Sequence, residues 1–176
     1  MSVPYLARTR IDGEWTPIEY SREFTVTAPE RVAPGEEFTV VFASAPILAL
    51  AAFNRTLTDL RIAYRVSGQA AVLEWELRGG DTPGGLEFTA ERQGADLVVR
   101  FGGTIAGGVE VAVPDLVVTV RAEEPGTVTT SPGGSGFDRP AFGWTREHAV
   151  NGQWDPFQCY VPVDAPVVFT TTLISS

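Results

Sequence analysis

One ten-residue phrase occurs twice, near the two ends of the chain. Ile-Asp-Gly-Glu-Trp-Thr-Pro-Ile-Glu-Tyr at 11–20 is matched by Val-Asn-Gly-Gln-Trp-Asp-Pro-Phe-Gln-Cys at 150–159, and only the pairs Thr16/Asp155 and Tyr20/Cys159 differ in chemistry. Each copy carries Asp-Gly or Asn-Gly. These residues tolerate the positive φ of a type I′ turn, so each phrase predicts a two-residue β-hairpin with Trp15 or Trp154 just past its turn. Two related hairpins therefore bracket the chain.

Between them the pattern stays that of strands. The first hairpin runs over 5–11 and 15–26, and Pro29, Pro34 and Gly35 then mark a turn before the apolar run Phe38-Thr39-Val40-Val41-Phe42. Leu60, Ile62, Tyr64 and Val66 alternate with Arg61, Ala63 and Arg65; past Ser67-Gly68, Leu73, Trp75 and Leu77 alternate with Glu74, Glu76 and Arg78. An antiparallel pairing of these runs sets arginines opposite glutamates on a solvent face. Residues 86–92 and 96–101 read as a further hairpin joined at Gln93-Gly94, and Pro114 interrupts two strands as an edge or bulge would. Residues 46–57 are the one helix candidate, because Ile47, Leu50, Ala51, Asn54 and Leu57 fall near a helical period. Residues 123–136, rich in Pro, Gly, Ser and Thr, read as a long loop, and 142–150, 154–161 and 167–174 as closing strands. The sum is a single all-β domain over 1–176, an antiparallel sandwich or barrel of about ten short strands with at most one short helix.

The segment Ala-Pro-Glu-Arg-Val-Ala-Pro-Gly-Glu-Glu-Phe-Thr-Val at 28–40 resembles the opening strands of bacterial immunoglobulin-like domains. That resemblance implies a β-sandwich, although a chain with one cysteine lacks the disulfide usual in immunoglobulins.

Composition excludes several chemistries. All thirteen basic residues are arginine, so neither a Schiff-base lysine nor the lysine of a P-loop is present. One His and one Cys cannot assemble the usual tetrahedral zinc site, which leaves only a carboxylate calcium site open, and no cofactor is expected. A net charge of −9 argues against a nucleic-acid partner. No apolar run is long enough to span a bilayer, and the first residues lack a signal-peptide pattern. A cytoplasmic protein, or one whose leader has been removed, is the expectation.

Residues 137–160 concentrate what chemistry the chain has. They hold the single His148 and Cys159, two of the four tryptophans and three of the ten phenylalanines. Trp144, Trp154 and Phe142 are the expected walls of an apolar site beneath the 123–136 loop, with Arg139 and Arg146 to orient a ligand. His148, Glu147 and Tyr160 are the candidates for acid–base work, and the strand phase that sets Trp154 and Pro156 on one face sets Phe157 and Cys159 on the other, burying the thiol. A surface histidine and aromatic closing strands account for the same residues without any site. Three functions therefore stand open: a β domain that binds a small apolar molecule, a cofactor-independent cyclase or isomerase, and an interaction module. The sequence sets no oligomeric state.

Overall fold

The computed structural model describes residues 1–175, which form sixteen strands and one short 3-10 turn at Pro83–Gly85. The first eight strands are β1 (Ser2–Ile11), β2 (Glu14–Thr27), β3 (Arg31–Val32), β4 (Glu37–Ser44), β5 (Ile47–Leu48), β6 (Asn54–Gly68), β7 (Ala70–Arg78) and β8 (Thr89–Gln93). The second eight are β9 (Asp96–Phe101), β10 (Ile105–Ala106), β11 (Glu110–Val111), β12 (Asp115–Ala122), β13 (Gly126–Pro132), β14 (Phe142–His148), β15 (Trp154–Tyr160) and β16 (Thr170–Ile174). The count exceeds the expected ten because several strands are two-residue pairings that composition cannot reveal.

One layer runs β3-β16-β13-β6-β14-β15-β1-β2, with β9 and β8 added along the other edge of β6. The second runs β2-β4-β12-β7. β2 serves both: residues up to Glu23 pair with β1, and Phe24 to Thr27 pair with β4. The architecture is thus an open, sandwich-like all-β fold, which is the coarse content of the resemblance at 28–40. That segment supplies β3, a turn with Gly35 at φ 81°, and the start of β4.

Alternation builds the core between the layers. Phe38, Val40 and Phe42 of β4 stand beside Val120, Val118 and Leu116 of β12, all buried. Phe42 meets Tyr64 of β6 across the gap, ring centroids 4.7 Å apart. Burying each such side chain contributes roughly 1.5–3 kcal/mol.

The first repeated turn forms as expected: Ile11 pairs with Glu14, and Asp12 and Gly13 take φ of 51° and 85°. The second does not. There the loop spans four residues, closed by the His148 N–H donating to the Gln153 carbonyl, and only Gly152, at φ 70°, is left-handed. The Asn151 side chain instead accepts the Gln153 N–H at 3.0 Å, an Asx turn that competes with the two-residue alternative.

Three further expectations are corrected. Residues 46–57 form no helix: β5 and a single turn at Leu50, whose carbonyl accepts the Phe53 and Asn54 N–H groups, lead into β6. Burial of Ile47 and Ala49 on the core side suits an extended chain as well as it suits a helix. β6 and β7 are not paired, because the chain crosses from one layer to the other at Gly68 and Gln69. Arg65 accordingly meets Asp96, and Arg78 meets Glu76 of its own strand. The 123–136 segment is no loop, since β13 lies within it between β6 and β16, with Val128, Thr130 and Pro132 buried.

Candidate functional site

The two hairpins lie side by side, in the order β14-β15-β1-β2. Their registers fix which side chains look inward. Phe142, Trp144 and Arg146 stand opposite Cys159, Phe157 and Asp155. β1 carries the same face through Tyr5, Ala7 and Thr9, and β2 through Ile18 and Tyr20. The rings on this face pack together. Tyr20 stacks on Phe142 at 5.5 Å and meets Phe157 edge-on at 5.1 Å, while Trp144 lies over Phe157 at 4.5 Å. Such pairs add about 0.5–1.5 kcal/mol each beyond their buried area.

Trp144 sits at an irregularity. The β14–β6 register shifts between Gly143, opposite Arg61, and Thr145, opposite Thr58, and Asp59 on the bulged strand takes φ 53°. A bulge bends its strand and redirects the side chains beside it.

Facing these rings is a flap. After β4 the chain passes through Ala45 and Pro46 to β5, which hydrogen-bonds only to β11. Between flap and rings lies a cleft of about 350 Å³. Ile18, Tyr20, Trp144 and Phe157 form its inner wall, and Ile47 with Leu48 its outer one. Leu50 and Phe53 complete an apolar lip, 50% and 57% exposed. The volume is at the small end of ligand pockets.

The polar groups of the cleft are few and poorly satisfied. Arg22, 6% exposed, donates from Nε to Ser44 Oγ at 2.7 Å and from Nη2 to the Ala45 carbonyl, with its guanidinium 4.8 Å from the Phe142 ring. Arg146, 8% exposed, has one long contact, Nη2 to the Arg10 carbonyl at 3.5 Å, and its Nε has no partner. Burial lowers the Arg146 pKa, and Asp155 partly offsets that. Burial likewise raises the Tyr20 pKa, against the opposing effect of Arg22. Trp144 Nε1 and Asn54 Oδ1 are buried without a protein partner as well.

The expected site residues are scattered by this geometry. Trp144 and Arg146 line the cleft. Phe142 is fully buried beneath the rings. Trp154 pairs with Glu147 on the outer face and is 51% exposed. Arg139 is exposed, its guanidinium near Gly94 in the β8–β9 turn. Glu147 binds Arg55 at 3.0 Å and Thr56 at 3.1 Å, and His148 Nδ1 accepts the Val150 N–H. Tyr160 meets Phe137 edge-on at 4.9 Å on the outer face, where the Arg8 guanidinium sits between Trp15 and Phe137. Ile18, Tyr20, Arg22 and the flap were missed. The repeat itself held a clue, because Ile18 and Phe157 occupy the same position in its two copies and both line the cleft.

Cys159 is fully buried on this inner face, and burial pushes its thiol pKa far up. The thiolate is the reactive form, so a maleimide should label Cys159 only as fast as the protein unfolds. Rapid labelling of folded protein would contradict the packing described.

Among the described residues no three His, Cys, Asp or Glu side chains group as a metal site, and no helix is long and apolar enough to cross a membrane. No family model and no curated protein matches the chain. A solved structure from Corynebacterium diphtheriae, "Putative membrane anchored protein", is similar over 99% of this chain, with a TM-score of 0.62 and 16% identity. The chain spans 37% of that protein's length. At such identity the likeness shows a shared fold and no more.

Proposed function

We propose that this chain is a non-catalytic β module that holds a small, largely apolar molecule in the cleft between the hairpin rings and the β5 flap. One observation carries the reading: Trp144 Nε1, Arg146 Nε and Asn54 Oδ1, all buried and unpaired, belong to residues lining one largely apolar cleft. Buried polar groups without partners are costly, and a bound molecule whose polar end displaces the atoms covering them supplies the partners. Binding is favoured over cyclase or isomerase chemistry by what the lining lacks. It includes neither His148 nor Cys159, and its one carboxylate, Glu19, belongs to an exposed residue.

The neutral dye N-phenyl-1-naphthylamine tests this by its fluorescence gain on entering an apolar site. Trp144→Ala should weaken uptake by about 1–3 kcal/mol, the range of a lost aromatic anchor. Trp154→Ala, on the outer face, should leave it unchanged. Absence of uptake, or equal loss in the two variants, would remove the cleft as the site and leave the apolar lip as a protein-contact surface.

A further inference from the structure

We propose that the ligand of this cleft is an amphiphile with a carboxylate head, received by Arg146 and by the indole N–H of Trp144. The proposal rests on the reading of the cleft as a binding site and names the chemistry that site selects.

The two donors belong to one strand and one face. Trp144 and Arg146 are two residues apart on β14, both line the cleft, and Nε1 of one and Nε of the other are buried without acceptors. A guanidinium has five N–H donors in a planar fork that matches a carboxylate, and Arg146 uses only one of them, at 3.5 Å.

The charge balance points the same way. The partly buried Arg65 finds an acid, meeting Asp96 at 2.6 Å, whereas the partly buried Arg8 and Arg61 reach only Gln158 and Gln93. The two arginines of the cleft, more deeply buried still, also lack an acid. Among the described residues no carboxylate lies within 4.0 Å of either guanidinium. Asp155, opposite Arg146 in the register and also buried, offsets one of the two positive charges. Arg22 has neutral hydrogen-bond acceptors only. It is paired with Val3, toward the start of β1, whereas Arg146 reaches the Arg10 carbonyl near the end of that strand. Arg22 therefore stands toward the other end of the cleft and adds positive field there without touching the head. An overall charge of −9 repels anions at a distance, so the selection is made by these short-range donors alone.

The rest of the ligand is apolar. Ile18, Tyr20 and Phe157 on one side and Leu48 on the other give it a hydrocarbon or aromatic slot.

The experiment compares acids with the alcohols of the same skeleton, 2-naphthoate with 2-naphthol and octanoate with 1-octanol, by calorimetric titration at neutral pH. Each acid that enters should bind at least tenfold more tightly than its alcohol, the scale of a charge-assisted hydrogen bond. Arg146→Leu should abolish that preference, with Arg146→Gln as the second variant if the first fails to fold. Trp144→Phe, which keeps a ring but not the N–H, should reduce the preference several-fold. Asp155→Asn, which frees Arg146 from its internal counter-charge, should tighten the acids and leave the alcohols alone. Preference for the naphthyl or the octyl pair tells whether the tail is aromatic or aliphatic. Alcohols binding as tightly as acids, or an acid preference that survives both Arg146 variants, overturns the anionic head while leaving the cleft as a site. Rejection of all four compounds and of the neutral dye overturns the cleft itself.

Discussion

Gly143→Ala is expected to lower the melting temperature by roughly 6–12 °C, corresponding to about 3 kcal/mol in a chain of this size. A Cβ at this position would stand 2.5 Å from the Phe157 carbonyl oxygen, and the obstacle is backbone, which no rotamer change relieves. Gly143 is a residue that the aromatic segment needs small, because β14 and β15 draw together there between the Phe142–Cys159 and Trp144–Phe157 pairs. The strands must part to admit the methyl group, and the stack of Trp144 on Phe157 lies beside the break. Loss of near-ultraviolet circular dichroism from those rings should therefore accompany the lower melting point. A melting temperature within two degrees of the parent would show that the two strands are not so closely held.

Asp96→Ala is the other substitution from which a large loss is expected, about 2–4 kcal/mol by chemical denaturation. The Asp96 side chain is 3% exposed, accepts from Arg65 Nε at 2.6 Å and from the Gly134 N–H at 3.0 Å, and so ties β9 to β6 and to the chain just past β13. Its removal strands the Gly134 N–H and leaves the Arg65 guanidinium with only the Gly134 carbonyl, at 3.2 Å. Arg65 is 31% exposed and can turn part of its charge to water, which keeps the figure below that of a fully enclosed pair. Glu76→Ala is the control: that carboxylate pairs with Arg78 at the surface, with both partners more than half exposed, and its loss should barely register. Equal effects from the two substitutions would contradict the role given to Asp96.

Local chemistry made some elements legible in the sequence. Asp12-Gly13 dictates its turn because both residues accept positive φ, and the apolar alternation of 38–42 survives intact as the β4 face of the core. What failed were inferences that needed long-range information. Runs adjacent in sequence, 60–66 and 73–77, read as a pair by their alternation, whereas Gly68 carries the chain between layers. β13 reads as loop from the Gly, Pro and Ser around it, although Thr127-Val128-Thr129-Thr130 is a β-branched run with alternate burial. The candidate site shows the same division. Alternation alone separates Trp154 from Phe157, but only the β14–β15 register sets Trp144 on the Phe157 face, away from Trp154. Arg22 and the flap carry no local mark at all; only the docking of β5 over the hairpins makes them part of a cleft.

The division of β2 between two layers has a consequence for solubility. Up to Arg22 the strand is paired on one side only, with β1; the Glu23 carbonyl then accepts from the Ala45 N–H just past β4, and the register with β4 begins at Phe24. A row of free main-chain groups over several residues is the ordinary template for adding a strand from another molecule, and hence for aggregation. Here the row is interrupted. Pro17 offers no N–H, and Glu14, Glu19 and Glu23 place negative charge along the same strand, in a protein whose copies already repel one another. The repeated phrase thus uses its proline in two settings. Pro156 is enclosed between β14 and β1, where its carbonyl accepts from Thr9, while Pro17 stands guard on an edge that would otherwise invite company.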